Sequence, residues 1–115
     1  MLPKSHRLPS LDIRRVMRTG RRMNSDTLQL IYVPAIKEGT RRFAIVVPKI
    51  VDKRATVRNR LKRLIREALW SELPNITPLD SIVQVKRKPA STTLIVIKRL
   101  LHETLERASL LTMKQ

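Results

Sequence analysis

Six side chains that can bind anionic groups, five cations and one amide, are concentrated in residues 58–66. They are Arg58, Asn59, Arg60, Lys62, Arg63 and Arg66. If this stretch is wound as an α-helix at about 100° per residue, Arg58, Lys62 and Arg66 form a row along one face. The others lie beside it, because side chains three and four residues apart are neighbours on a helix. Only one acid, Glu67, accompanies these cations, whereas a face that serves solubility mixes both signs. The pattern therefore predicts a surface that binds a polyanion.

Hydrolysis of a nucleic acid by the chain itself would need carboxylates that converge on a metal ion. The nine acids are scattered, and the densest group is His102, Glu103 and Glu106. His102 and Glu106 are four residues apart, so they could either hold a metal together or form an ordinary surface pair. P-loop, dinucleotide-binding and serine hydrolase motifs are missing, and two glycines are too few for a phosphate-binding loop. The sequence therefore predicts no catalytic residue and no metal site.

The chain contains three aromatic residues, Tyr32, Phe43 and Trp70. Trp70 lies one helical turn beyond Arg66, the last cation of this helix. There its ring could stack on a base or a guanidinium. Alternatively, it could fold over Pro74 at the edge of the core. Tyr32 could present its ring from a strand or pack in the core. Phe43 is expected in the core.

The composition predicts a basic single domain over residues 1–115. Lys and Arg number 25 against nine acids, which gives a formal net charge of +16, while 42% of residues are hydrophobic. Such a charge attracts nucleic acid or an anionic membrane. The absence of cysteine excludes disulfides and thiolate zinc sites and favours the cytoplasm. Neither a signal peptide nor a membrane span is expected, because no apolar run is long enough.

The amino-terminal half predicts one helix and three strands. The elements expected are a flexible basic arm over residues 1–9, a helix over 11–19, strands over 21–24, 27–33 and 41–47, and a basic connector over 49–54. Ser10 is expected to cap the helix and Gly20 to stop it. The second and third strands are expected to pair as a hairpin, and Pro48 to end the latter.

The carboxy-terminal half predicts two helices around a short strand. The elements expected are a central helix from residue 54 to 71–73, a strand over 82–85, and a last helix from 91–93 to about 111. An apolar stripe at helical spacing identifies the buried face of the central helix: Val57, Leu61, Leu64, Ile65 and Ala68, with Leu69 at the margin. Pro74 ends this helix. Residues 94–97 alone could be a strand, and the whole order predicts an α+β sandwich.

Several of these segments together resemble one family, the protein subunit of bacterial ribonuclease P. The signature is Arg-Asn-Arg at residues 58–60, followed by Leu-Lys-Arg-Leu-Ile-Arg, which is similar to the Arg-Asn-Arg helix of that family. Further similar segments are the first helix with its closing glycine (11–20), a strand ending in an aromatic (28–32), the strand entering the connector (43–49) and the strand exit (85–91).

The resemblance implies a fold and a function. The fold would be a two-layer α+β sandwich like domain 2 of ribosomal protein S5, with a small mixed sheet, three helices and a left-handed βαβ crossover, although right-handed crossovers are the rule. The chain would bind the catalytic RNA and the 5′ leader of precursor tRNA. The RNA, with Mg²⁺ that it mainly holds itself, would hydrolyse the precursor and free the mature tRNA 5′ end. The chain would be an accessory subunit, inactive alone and needing no protein partner.

The resemblance also assigns residues. The implied RNA contacts are Arg58, Asn59, Arg60, Lys62, Arg63, Arg66, Lys49, Lys53 and Arg54. Ile13, Met17 and Tyr32 would line a cleft between the first helix and the sheet that holds the leader. Many members carry aromatic residues at the positions of Ile13 and Met17, so apolar contact replaces base stacking there. Pro48 and Ile50 replace a usual serine and a second lysine.

Two other functions fit a basic α+β chain. One is a ribosomal or other structural RNA-binding protein with no role in processing. The other is an amphipathic protein acting at anionic membranes. Proteins of the second kind carry aromatic residues on a broad apolar helix face, whereas the apolar stripe found here is needed to cover a sheet.

Overall fold

Three α-helices and one four-stranded sheet make up the domain. The computed structural model describes residues 2–89 and 91–111. The helices are α1 (Ser10–Thr19), α2 (Ala55–Glu72) and α3 (Leu94–Arg107), with short 3₁₀ turns at Lys4–His6 and Leu73–Asn75. The strands are β1 (Arg21–Asn24), β2 (Leu28–Pro34), β3 (Arg41–Val46) and β4 (Leu79–Val85).

The strand order is β1-β2-β4-β3, with β4 antiparallel to β2 and parallel to β3. The predicted hairpin between β2 and β3 is therefore wrong, because β4 lies between them. Every residue of β4 except Gln84 is buried, which suits a central position. A parallel pair needs a crossover connection rather than a tight turn, and α2 supplies it between β3 and β4.

The two faces of the sheet carry separate cores. On β2, Leu28 and Leu30 join the larger core with α2 and α3, whereas Ile31 and Val33 join a smaller core with α1. Side chains alternate between faces along a strand, so α1 lies on the opposite face from the other two helices. The expected α+β class with a mixed sheet and three helices is confirmed, and α1 adds a third layer to the two that were expected.

The apolar stripe of α2 lies where the sequence predicts it. Leu61, Ile65 and Ala68 are fully buried, as is Leu69 at the margin, and Val57 and Leu64 pack partly buried against the same core. Each fully buried aliphatic side chain of this size contributes about 1.5–3 kcal/mol. The stripe therefore fixes the opposite face of α2 toward solvent.

The helix caps differ between α1 and α3. The N-cap of α1 is Pro9 and not Ser10, which is the first residue of the helix itself. Pro9 holds an extended conformation with φ −65° and ψ 156°, and its carbonyl accepts the N–H groups of Asp12 and Ile13. In α3, Thr93 is the cap and accepts a bond from the Val96 N–H, so residues 94–97 are helical rather than a strand.

The amino-terminal segment is anchored and is not the expected flexible arm. Leu2 is 1% exposed and Leu8 is 6% exposed, each within one of the two cores. The Leu8 N–H donates to the Phe43 carbonyl at 2.8 Å, and Arg7 forms a parallel bridge with the same residue. The two leucines outweigh the prolines and cations that suggest an arm. Met1 lies outside the described residues.

Gly20 lets the end of α1 approach β2. An added Cβ would lie 2.5 Å from the Val16 carbonyl oxygen and 2.8 Å from Ile31 Cγ2. The Val16 carbonyl already accepts the Gly20 N–H at 2.8 Å, so it cannot move away without loss of that bond. Gly20→Ala is therefore expected to destabilise the fold by about 1–3 kcal/mol, the usual cost of overpacking.

Urea unfolding measures this effect as a lower midpoint with an unchanged slope. Ser10→Ala in the same helix is the control and should leave the midpoint unchanged, because Ser10 makes no capping bond. Equal midpoints for the Gly20 variant and the unmodified chain would show that the α1–β2 contact has room for a methyl group.

Candidate RNA-binding surface

The polar face of α2 carries its cations into solvent. Arg60 and Arg63 are exposed, Asn59 beside them is exposed, and Lys62 and Arg66 are half-buried at the flanks. Within the described part of the chain, none of these five side chains makes a hydrogen bond or ion pair with protein. We call these five residues together with Arg58 the α2 basic surface. Its unpaired cations can each bind a phosphate.

Arg58 differs from the rest of the α2 basic surface because the protein already uses part of it. Its Nη1 donates to the Asp52 carbonyl at 3.0 Å and to the Lys53 carbonyl at 2.8 Å. Arg58 therefore holds the connector of residues 49–54 against the start of α2. Its remaining donors stay available for RNA.

The connector adds further cations beside α2. Lys49, Lys53 and Arg54 are exposed. Arg54 also pairs with Asp52, whose Oδ1 accepts the Arg54 Nε at 3.1 Å. Hydrogen bonds from the Arg54 side chain, the Arg54 backbone and Lys88 hold the pKa of Asp52 well below its usual range. Asp52 is thus an anion placed within a cationic region, which the sequence analysis missed.

The predicted leader cleft is only partly assembled as expected. Ile13 packs half-buried in the small core under α1, and Met17 is 42% exposed on the same helix. Tyr32 lies on the other face of the sheet, packed against the larger core. A shift of one residue along a strand exchanges the faces, so Ile31 is the residue that faces α1. The prediction that Tyr32 lines this cleft is wrong.

A row of polar residues crosses the α1 face of the sheet. Asn24 pairs with Gln29, Gln29 with Gln84, and Gln84 with Val46 of β3. Gln29 Nε2 donates to Asn24 Oδ1 at 3.0 Å. The sequence analysis missed this row, although glutamines at period-two positions of otherwise apolar strands were its signal. Its amides can donate and accept hydrogen bonds.

The side chain of Arg22 connects the sheet to α1. Arg22, on the same face as this amide row, donates from Nη2 to the Met17 carbonyl at 3.1 Å and from Nη1 to Gln29 Oε1 at 3.4 Å. The carboxy-terminal turn of α1 is thereby tied to β1 and β2. Met17 and the amides consequently border one surface.

Trp70 lies beside the amino-terminal segment, a contact that the sequence did not predict. It is 44% exposed, and its ring lies 6.3 Å from the ring of His6, centroid to centroid, at a tilt of 58°. His6 Nδ1 lies 2.8 Å from the Arg41 carbonyl oxygen. Trp70 thus contacts the amino-terminal segment. Phe43 is buried, as expected.

The candidate metal pair on α3 is engaged elsewhere. His102 Nδ1 lies 3.1 Å from Glu72 Oε1 of α2 rather than pairing with Glu106. Among residues 2–89 and 91–111, no group of three or more His, Asp or Glu side chains could hold a metal ion. None of the helices in these ranges combines the length and apolar composition that a membrane span requires.

A small α+β domain that presents a basic helix face, a basic connector and an amide-lined sheet surface has the features of a nucleic-acid-binding domain. A family model described as Ribonuclease P matches residues 2–109. The chain belongs to the ribonuclease P protein family. It is therefore the protein component of a ribonucleoprotein endoribonuclease and has the ribonuclease P RNA as its partner.

Individual relatives agree with this membership. The ribonuclease P protein component of Nitrosomonas eutropha is 38% identical over 88 residues, covering 75% of this chain and 73% of the relative. That of Nostoc punctiforme is 33% identical, covering 89% of this chain and 88% of the relative. The solved structure of the Staphylococcus aureus RNase P protein superposes with a TM-score of 0.82 at 26% identity, covering 95% of this chain and all of that one.

Proposed function

We propose that the chain binds the catalytic RNA through the α2 basic surface and the connector, and holds the 5′ leader of precursor tRNA along α1. The observation that carries this proposal is that four cations of α2, Arg60, Lys62, Arg63 and Arg66, have no hydrogen-bond or ion-pair partner among the described residues. The RNA would perform the hydrolysis that frees the mature 5′ end, in the cytoplasm and without a further protein. The chain would supply binding and positioning.

The first step in this function is neutralisation of charge. Two RNAs, enzyme and substrate, repel each other, and cations that contact phosphates remove that repulsion and release condensed counterions. The cations proposed for this role are Arg58, Arg60, Lys62, Arg63 and Arg66, with Lys49, Lys53 and Arg54 of the connector, and the neutral amide of Asn59 would add hydrogen bonds to the RNA. The apolar stripe of α2 holds these side chains on a rigid element, so the contacts are pre-organised.

The second step is retention of an extended single strand. Ile13 and Met17 offer apolar contact to bases, and the amides of Gln29 and Gln84 offer hydrogen bonds. Apolar contact of this kind tolerates any base, which suits a leader whose sequence differs between precursors. Single-stranded RNA is also the form whose bases are open to protein side chains.

Magnesium fits the RNA better than this chain. Mg²⁺ prefers carboxylate and phosphate oxygens, and the described residues form no cluster of three or more acids or histidines. The side chains of residues 2–89 and 91–111 therefore do not fit a resident metal. We propose that the phosphates of the RNA subunit are the main ligands.

Reconstitution tests the proposed function. The chain is added to a bacterial ribonuclease P RNA and a precursor tRNA at low Mg²⁺, and release of the leader is followed. Faster cleavage at the mature 5′ end, with no cleavage by the chain alone, is expected. A ribosomal or other structural RNA-binding protein would bind the RNA without accelerating cleavage. Cleavage by the chain without RNA would contradict the proposal.

Met17→Glu tests the position of the leader. A carboxylate at this half-exposed position would repel the phosphates of a bound strand, so affinity for precursor tRNA should fall about five- to tenfold. This loss is smaller than like charges cost inside an interface, because solvent screens an exposed side chain. Affinity for mature tRNA, which lacks the leader, should change little. Binding of both RNAs to the reconstituted enzyme is measured.

Ile95→Glu is the matched control for this change. Ile95 is 73% exposed on α3, and its replacement alters the net charge equally. It should reduce the affinities for precursor and mature tRNA to the same small extent. A precursor-specific loss in Ile95→Glu, or none in Met17→Glu, would move the leader away from α1.

A further inference from the structure

Asp52 is a carboxylate within the basic region, and the protein surrounds it with donors. Its side chain is only 9% exposed. Oδ1 accepts the Arg54 backbone N–H at 2.9 Å and the Arg54 Nε at 3.1 Å. Oδ2 accepts the Arg54 Nη2 at 3.1 Å and the Lys88 Nζ at 3.0 Å. Four hydrogen bonds therefore converge on one acid.

These bonds join two segments that are distant in sequence. Arg54 is the N-cap residue of α2, whereas Lys88 belongs to the basic segment of residues 86–88 that follows β4. Pro89, next to Lys88, is buried, which fixes the path of that segment. The Asp52 carbonyl also accepts Arg58 Nη1 at 3.0 Å. One residue thus holds cations from the connector, from α2 and from the exit of β4.

Each of these cations keeps donors for which residues 2–89 and 91–111 supply no acceptor. Within these ranges, Arg54 gives Nε and Nη2 to Asp52 and retains Nη1. Lys88 uses one of its three ammonium protons there, and Arg58 uses Nη1 alone. A guanidinium or ammonium held on one side and open on the other is placed to bind a phosphate with less loss of side-chain freedom.

We propose that Asp52 is a positioning residue for RNA binding, which joins the α2 basic surface and the segment of residues 86–88 into one continuous contact surface. The inference rests on the proposed function and adds Lys88 to the contact residues. It predicts that a negative charge inside a cationic surface strengthens the binding of a polyanion, which is opposite to the effect of that charge alone.

The sign of the effect of Asp52→Asn is therefore the test. The substitution keeps the shape but replaces an acceptor by an NH₂ group that cannot accept from Lys88 or Arg54. Despite the higher net charge, affinity for the ribonuclease P RNA should fall about fivefold near 150 mM salt. The slope of log K against log salt should shrink by about one unit, which corresponds to the loss of one phosphate contact.

Asp26→Asn is the matched control, since Asp26 is exposed and the charge change is equal. It should bind as tightly as the unmodified chain or more tightly.

The salt slope separates positioning from folding. A partly unfolded variant has fewer active molecules, which lowers apparent affinity by a constant factor and leaves the slope unchanged. Lys88→Ala provides a second measurement: it should reduce the slope by about one, and adding Asp52→Asn to it should cost little more, because both changes remove the same contact.

The outcomes distinguish the two proposals. If Asp52→Asn binds RNA more tightly than the unmodified chain, or if neither Asp52→Asn nor Lys88→Ala changes the salt slope, the inference is overturned while the proposed function stands. If the unmodified chain fails to bind and stimulate the RNA, the proposed function and the inference both fail. If Asp52→Asn does not fold, the slope of Lys88→Ala decides alone.

Discussion

Replacement of Lys62, Arg63 and Arg66 together by glutamine is expected to weaken binding of the ribonuclease P RNA about 100-fold near 150 mM salt. Each phosphate contact contributes close to one unit to the slope of log K against log salt, so the slope should shrink by about two to three. The three side chains make no hydrogen bond or ion pair with the described residues, so their loss should leave the fold intact. Binding isotherms at several salt concentrations measure both quantities.

Cations of α3 provide the control for this experiment. Lys98, Arg99 and Arg107 are three cations on another helix, and their replacement by glutamine lowers the net charge by the same amount. A smaller loss of affinity and a nearly unchanged slope are expected. If both triple variants lose affinity equally, the attraction comes from net charge alone and α2 is not the contact surface.

The same α2 variant should show a dependence on magnesium. Divalent cations can neutralise the phosphates that the missing side chains no longer cover, so cleavage of precursor tRNA should be strongly impaired at low Mg²⁺ and much less at high Mg²⁺. Arg58 is left unchanged because it also holds the carbonyls of Asp52 and Lys53. Equal impairment at both concentrations would contradict a role in charge neutralisation.

Asp80→Ala is expected to have the largest effect on the free energy of unfolding, a loss of about 3 kcal/mol. This value is at the lower end of the cost of breaking a buried ion pair, because the two arginine partners of Asp80 are partly solvated. Asp80 is fully buried, and Arg42 binds it through two bonds of 2.9 Å while Arg15 Nη2 lies 2.6 Å away. The two arginine side chains are 24% and 27% exposed. Removal of the carboxylate leaves both cations without their main partner.

The pKa of Asp80 gives this prediction a pH dependence. Burial alone would raise the pKa, but hydrogen bonds and charges from Arg42 and Arg15 outweigh it, so the pKa is lowered. A carboxylate whose pKa is lower in the folded than in the unfolded chain stabilises the fold above the unfolded value, about 3.9. That stabilisation is lost as the pH falls toward the folded value.

Urea unfolding at pH 7, 5 and 3 checks this dependence. The unmodified chain should lose stability below about pH 4, and Asp80→Ala should lose less over the same interval because it has no carboxylate to protonate. Asp26→Asn, which changes an exposed acid, should keep the acid sensitivity. A parallel loss in Asp80→Ala would place the acid-sensitive group elsewhere.

Local patterns predicted those parts of the fold that depend on neighbours in sequence. The buried stripe of α2 follows from a period of 3.6 residues, and the stop of α1 at Gly20 follows from the glycine. The start of β4 could not be found this way. Asp80 and Ser81 suggest a loop, but Asp80 is neutralised by arginines 38 and 65 residues away. The β2–β3 hairpin failed for the same reason, since the strand between them comes later in the chain.

The candidate site divides in a similar way. The polar surface of α2 is contained in one helix, and the sequence was sufficient to find it. Tyr32 was assigned to the cleft by the family resemblance, and its strand shows no alternation that would have corrected this assignment, because Leu30 and Ile31 are both fully buried. Asp52 was missed because Lys88, one of its partners, is 36 residues away.

The central position of β4 has a consequence for synthesis on the ribosome. Residues emerge in order, so β1 and β2 can pair as soon as both are free, whereas β3 has no partner in the sheet until β4 follows α2 out of the exit tunnel. Until then, the facing edges of β2 and β3 stay open, and contacts between such distant segments form slowly. A nascent chain that stops before residue 79 can keep the antiparallel pair of β1 and β2 but cannot complete the sheet.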